Sequence, residues 1–501
     1  MTARRSADPF TQVAIPYRGW NTLNRLQDMD PVFAAKMDNF YSDEGRLIQR
    51  FGRRPHVYNL VDPVETIFSY VAGANRKLFA CYGGRVADVT SHPRDVARSG
   101  ARSNRWDAAM FSAGAKQYVV ISNAVDPILH FDGSTWLAAS ITGVDPSTLR
   151  GTLSHANRLW FFKGHSLWYL PTQSIGGEAK EFPIGASSNW GEIVSIGSWS
   201  YQDAGTGADD VLVVVTSTGS VIVYRGTDPE VLTSWNIVGV YTIPPPLGGS
   251  RCMAKVGSDL YILTSAGPIT MNEIMGGYPN VRTTSNAIEP SFQRLAERYP
   301  SAVTWSIMWH RARNRLICAV PNTSLNPLQY VLSLSSASWS RITNRPILAM
   351  HEFEGKLYVG NEDGIVYLDG IGASDNGAAI PAEVAFSPNL FGWPGEKDWK
   401  RARLHFFTGA IVSPTVQMVS DYASITSSLA ASATTAAAEG GEWDVAEWNQ
   451  AVWGGVKRVR KVTTTLYGRG AVGSLRVAVL GSLEPVELTS AWVSFKQSRE
   501  I

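Results

Sequence analysis

Two clusters of basic residues carry the chemistry most easily read from this chain. Near the C-terminus, Val456-Lys457-Arg458-Val459-Arg460-Lys461-Val462 sets Lys457, Arg458, Arg460 and Lys461 in one short run. Ammonium and guanidinium groups at that density can neutralise the phosphates of nucleic acid or pair with carboxylates of a neighbouring protein. Glu442, Asp444 and Glu447 lie just upstream, so a contact between acidic and basic segments of adjacent copies, or a solvated sheet surface, is the competing expectation. The second cluster is Arg50, Arg53 and Arg54, whose planar donors suit bidentate docking on carboxylates of another subunit. Its plainer reading is a solvated loop. Between the clusters in kind stand Trp443, Trp448 and Trp453, spaced by five residues, which fits neither a strand nor a helix face and marks a further candidate contact segment.

Catalytic chemistry leaves a weaker trace. The eight histidines never form H-x-H or H-E-x-x-H, and neither a nucleophile elbow nor a phosphate-cradling glycine loop appears, so no metal, cofactor or enzymatic activity is expected. Glycosidases need two carboxylates at a set separation, and the sequence names no such pair.

The elements that must position these residues announce themselves as a repeat. A polar or basic residue, then Leu or Tyr, opens an apolar strand that usually runs into a turn and a second strand. The seeds fall at Leu78, Tyr118, Leu159, Leu212, Leu260, Leu316 and Leu357, between 40 and 56 residues apart. Four strands with their turns occupy roughly 40 to 50 residues, the period of a β-propeller blade. Asn361-Glu362-Asp363-Gly364 and Thr216-Ser217-Thr218-Gly219-Ser220 read as hairpin turns inside the repeat. One blade cannot bury both faces, so the repeat implies a closed disc of six or seven blades, seven being favoured.

Within that frame Asp132-Gly133-Ser134-Thr135-Trp136 resembles, with one residue missing, the Asp box of sialidases. The expectation is structural: Asp132 accepts backbone N–H groups in a turn and Trp136 packs between blades. Trp160, Trp168, Trp305 and Trp309 sit beside apolar strand residues and should be core, while Trp190, Trp199 and Trp235 lie near Gly, Ser or Asn and are candidates for exposed contacts.

Composition bounds the remainder. The 501 residues are 44% hydrophobic and 18% charged with a formal net charge of +2, so the chain can build two or three packed domains and is no polycation. Cys81, Cys252 and Cys318 lie far apart without a C-x-x-C pair and are expected as buried free thiols. No apolar run of roughly 18 residues and no apolar segment behind Arg4-Arg5 suggests a membrane segment or a signal peptide. Three zones follow: a leader over 1–60, a propeller over 61–380, and over 381–501 an all-β, sandwich-like domain. Inside the last, the Ala/Ser/Thr-rich tract from Ala423 to Gly441 reads as a loop or as an arm that orders against a neighbour.

The leader, with Gly19-Trp20-Asn21-Thr22, Met29-Asp30-Pro31, Ala34-Ala35-Lys36-Met37-Asp38-Asn39-Phe40, Gly45-Arg46-Leu47 and Arg50-Phe51-Gly52-Arg53-Arg54, resembles the opening of a group of phage structural proteins. In that group the leader precedes a β-propeller, and a run like Trp443-Asp444 through Trp448 to Trp453-Gly454-Gly455 recurs near the C-terminus. Arg18 and Leu23 depart from the pattern at a turn. The group is most similar to the nozzle, or tail tubular B-like, proteins of short-tailed phages. The resemblance implies a virion tail component made in the host cytoplasm. It also implies a homohexameric ring below portal and adaptor, contact with tail fibre or needle proteins, and transient contact with passing DNA. A propeller that binds or cleaves host glycan, and a capsid or neck decoration protein, are the alternatives.

Overall fold

The computed structural model describes residues 9–184, 190–203, 207–231, 234–281, 284–322, 328–425, 429–430, 457–481 and 484–498. Strands dominate, and the chain divides into two compact units. One comprises 55–328 with 344–368; the other comprises 1–54, 329–343 and 369–501.

The first unit is a propeller. Each of the seven seeds lies in the second strand of a sheet: Asn75–Tyr82, Lys116–Ser122, Arg158–Lys163, Gly207–Thr216, Asp259–Thr264, Arg315–Val320 and Lys356–Gly360. The first strands are Thr66–Ala72, Asp107–Ala113, Arg150–His155, Ile193–Asp203, Met253–Val256, Ser306–His310 and Ala349–Phe353. Each packs against the next, and the last returns onto the first. That circuit decides for seven blades. Closure is completed in hydrogen bonds by Arg53–Val57, which comes from the N-terminal side of the chain and pairs with Val366–Asp369 of the seventh blade.

The uneven spacing has two visible causes. The fourth blade opens on a long hairpin, Ile193–Asp203 with Gly207–Thr216, and the fifth replaces an outer strand by the helices Met271–Met275 and Glu289–Arg298. Thr270 caps the first helix in a capping box with Glu273, and Pro290 enters the second at its start, where its missing N–H costs nothing. Phe292 of the second helix is buried, and so is the whole of the neighbouring strand Gly267–Thr270.

Blades adhere through aromatic clusters. Trp160 of the third blade stacks on Trp235 of the fourth with ring centroids 5.3 Å apart, and Trp136 of the second meets Phe79 of the first at 5.2 Å. Trp160 and Trp305 are fully buried, as expected; Trp199 and Trp235, expected as exposed, are buried as well. Their polar sequence neighbours point to the other face of the strand, which local composition cannot report. Asp132 accepts from the Ser134 and Thr135 backbone N–H groups at 2.9 Å each and from the Ser134 hydroxyl, which holds its carboxyl far below the usual range. The Asp-box fragment is therefore a turn that seats Trp136. All three cysteines are free and buried.

The second unit is a β-sandwich assembled from both ends of the chain. One sheet runs Phe40–Asp43, Arg46–Gln49, Glu487–Gln497, Lys397–Thr408, Arg458–Thr465, with Phe10–Val13 added on Glu487–Gln497. In the other, Ala34–Asp38 lies parallel to Ser338–Ile342 and antiparallel to Ala378–Phe386, followed by Gly473–Gly481 and Thr415–Ser420. The sheets press together where glycine leaves room: a Cβ on Gly473 would lie 2.7 Å from the Trp399 ring, and one on Gly481 2.2 Å from the Gln49 amide. The boundaries expected at 60 and 380 are thus not those of the packed units. The leader is no separate docking segment: Phe10–Val13 and Arg46–Gln49 pair with Glu487–Gln497, and Ala34–Asp38 pairs with Ser338–Ile342 and Ala378–Phe386.

Candidate functional site

The leader residues that carry the phage resemblance form a polar lock inside the sandwich. Asn39, in the left-handed conformation at φ +56°, donates to Thr343 Oγ1 at 2.8 Å and to the Pro381 carbonyl at 2.7 Å, and accepts from Arg50 Nε at 2.9 Å. Arg50 closes a two-point pair on Asp375, with Nη1 to Oδ1 at 2.9 Å. Arg341 grips Asp38 in the same way at 2.6 and 2.8 Å, and Lys36 and Arg476 both converge on Glu383. Gly52 must be glycine, since a Cβ there would sit 1.9 Å from the Ser374 carbonyl oxygen. Arg50 and Arg53 are buried, which corrects the expectation that they dock on a partner; the charge of Arg50 is spent on Asp375 within the chain. Only Arg54 of that trio is exposed.

The C-terminal basic run is divided by strand alternation. In Arg458–Thr465, Val459, Lys461 and Thr463 project to one side and Arg458, Arg460 and Val462 to the other. Arg460 Nη2 is taken up by the Gly409 carbonyl at 2.7 Å. Lys461 instead joins residues the sequence reading did not single out. Opposite it lies His405, opposite Thr463 lies Arg403, and opposite Thr465 lies Arg401. These three half-exposed or exposed side chains alternate along Lys397–Thr408 with buried Ala402, Leu404 and Phe406. On the far side Arg403 pairs with Trp492, whose ring stands 4.4 Å from His405, while the Arg403 guanidinium lies 3.9 Å from the Phe10 ring centre. Burial, Lys461 and Arg403 together lower the His405 pKa.

The outcome is a sheet face of cations interleaved with aromatic rings, the arrangement that attracts a polyanion and offers its bases a stacking surface. The signal was present in the sequence as a basic residue at every second position from Arg401 to His405. Its partners Trp492 and Phe10 could only come from the fold. Replacing Arg401, Arg403 and Lys461 together by serine should lower the salt at which the protein elutes from heparin. It should also reduce the salt slope of single-stranded DNA binding by about 2, at about 0.7 per lost phosphate contact. An unchanged slope would remove this face from nucleic-acid contact. Trp443, Trp448 and Trp453 lie outside the described residues.

The propeller has its own cavity, about 330 Å³ at the axis, lined by the first strands of all seven blades. Arg251 reaches across it to the Glu65 carbonyl at 2.8 Å and Thr66 Oγ1 at 2.7 Å; burial and neighbouring Arg105 bring its pKa down to about 10. Asp107 is the single carboxylate in the lining, and both its oxygens are used, by Ser250 Oγ at 2.7 Å and the Gly151 N–H at 3.1 Å. Cross-channel ties of this kind brace the ring; the lining offers no pair of carboxylates for acid and base roles. Among the described residues no group of three or more His, Cys, Asp or Glu side chains is placed to hold a metal ion, and no helix is long and apolar enough to cross a membrane.

No family model matches the chain, and no curated protein matches it. Among solved structures it is similar to the computationally designed protein Ika8, at 8% identity over 64% of this chain and 100% of that one, with a TM-score of 0.38. It is also similar to Sqt1 of Saccharomyces cerevisiae, at 10% over 64% and 99% with a TM-score of 0.38, and to BBS1N in complex with ARL6DN, at 8% over 65% and 99% with a TM-score of 0.41.

Proposed function

We propose that this chain is a structural subunit of a short phage tail, a ring-forming nozzle that prolongs the DNA-ejection channel below portal and adaptor. The observation that carries the reading is the fate of the leader pattern. The residues resembling that family, Asp38, Asn39, Arg50 and Gly52, are those that lock the sandwich, so the resemblance lies in positions with a demanding physical role rather than in turn composition. A rigid disc fused to a sandwich suits a part that must hold shape while DNA passes. The cationic, aromatic sheet face suits brief contact with that DNA, because a few cations attract phosphates without retaining the genome.

In this reading about six copies form a closed ring by heterologous contacts and meet an adaptor on one side and fibre or needle proteins on the other. Quantitative mass spectrometry of purified particles, with gold labelling in the electron microscope, tests it. About six copies at one vertex is the expected result. Dozens of copies spread over the head would make the protein a decoration, and absence from particles would return a glycan-directed propeller to the front.

A further inference from the structure

Four blades of the propeller end in an outer strand, and three of those edges are blunted. Asp95–Ser99 carries Asp95 and Arg98, Trp136–Ala138 is only three residues long, and Lys180–Pro183 contains Lys180, Glu181 and Pro183. Charge, brevity and proline are the devices that keep sheet edges from pairing with other chains. The fourth edge, Trp235–Thr242, has none of these three, its one irregularity being a bulge at Val238. It is eight residues long, uncharged, and turns Ile237, Val238 and Val240 to solvent at 51%, 39% and 45% exposure. Among the described residues its sheet continues on one side only, to Ser220–Gly226.

A second open edge of equal length lies in the sandwich unit. Arg458–Thr465 ends its sheet among the described residues, bonded to Lys397–Thr408, with no buried residue and with β-branched side chains at five of its eight positions. Such a strand is shaped for pairing, yet its charge restricts the partner. Two copies of it side by side would crowd three cations from each chain, whereas the uncharged Trp235–Thr242 opposes none of them. Half-exposed Asp228 and exposed Glu230, paired within the chain with Arg158 and Lys180, stand just before that strand, so the same partner brings acids toward the cations.

We propose that Trp235–Thr242 of one copy pairs with Arg458–Thr465 of a second copy, extending the fourth blade's sheet across a subunit boundary. The proposal rests on the assembly reading above for its second copy and supplies the seam. Because the two edges differ, the contact is head to tail, the type that closes rings when the rotation permits and otherwise grows filaments.

Full-length chains blocked at either edge by lysine provide the test. Ile237→Lys/Val240→Lys closes one edge, and Val459→Lys/Thr463→Lys closes the other; all four positions are exposed, and matching thermal melts confirm folding. By analytical ultracentrifugation at tens of micromolar, wild type should form oligomers larger than dimers and each variant alone should stay monomeric. An equimolar mixture of the two should stop at the dimer, since each chain keeps one good edge. Monomeric wild type overturns the proposal. So does self-association of the Val459→Lys/Thr463→Lys variant at the wild-type level, which would mean that Trp235–Thr242 pairs with itself. Particle copy number reads the tail assignment separately: about six copies in particles with a monomeric protein in solution sinks the seam and leaves the nozzle reading, and the reverse pattern does the opposite.

Discussion

Asp375→Ala should cost about 3–5 kcal/mol of stability in chemical denaturation, because it strands a buried guanidinium. Arg50 has a side-chain exposure of 1%, and Asp375 is the only carboxylate in its ion pair. Without that carboxylate, Arg50 keeps the Asn39 amide oxygen and the Phe51 carbonyl, neither of which carries charge. The remaining positive charge must either stay desolvated or pull the surrounding strands apart to reach water. Asp375→Asn should cost distinctly less than alanine, since one acceptor survives. A useful contrast is Glu230, whose pair with Lys180 is nearly half exposed at both partners, so Glu230→Ala should stay within about 1 kcal/mol of wild type. An Asp375→Ala cost below that of Glu230→Ala would show that the lock does not hold the sandwich together. The transition followed should be that of the sandwich, by the Trp399 environment, because two compact units need not unfold as one.

Acidification should weaken the propeller steeply between about pH 6.5 and pH 4. His155, His310 and His351 are held neutral, each with its pKa pushed down to about 4. Burial dominates in all three; Lys255 adds to it at His155 while Asp210 opposes it, and Arg313, Arg315 and Arg345 add to it at His310. The unfolded chain protonates these rings near 6.5, so as pH falls below that value the unfolded state binds protons the folded state refuses. Stability is therefore fully present above about pH 6.5 and is lost progressively until the folded pKa is passed. At roughly 1.4 kcal/mol per pKa unit, each histidine accounts for about 3 kcal/mol. Melting temperature measured against pH, for wild type and for His310→Gln, reads this directly: wild type should fall through the window, and the variant should fall less steeply. A flat profile down to pH 4.5 in wild type would contradict it.

Much of the fold was legible because the propeller is built from local pieces. Seven apolar seeds, each a single strand with its turn, follow from alternation and turn chemistry over fewer than a dozen residues, and every one is a second strand of a blade. The buried thiols and the Asp132 turn were equally local matters. The blade count between six and seven was not, because insertions in the fourth and fifth units blur the period and only the circuit of inner strands resolves it.

By itself, the sequence determined which segments are strands, where they turn, and that they repeat, since those depend on side-chain periodicity and backbone preference within one hairpin. Tertiary structure alone decided which segments share a core. Arg50 and Asp375 are 325 residues apart, and nothing near either one names the other. The leader became part of the sandwich for that reason, and Arg50, which looks like a docking group in isolation, became an interior tie. The same holds for the cationic face: Lys461 belonged to a visible basic run, but strand alternation sent Arg458 and Arg460 elsewhere and register brought Arg401 and Arg403 alongside. Register between distant strands is set by burying one face of each against the other, a property of the pair that neither strand contains alone.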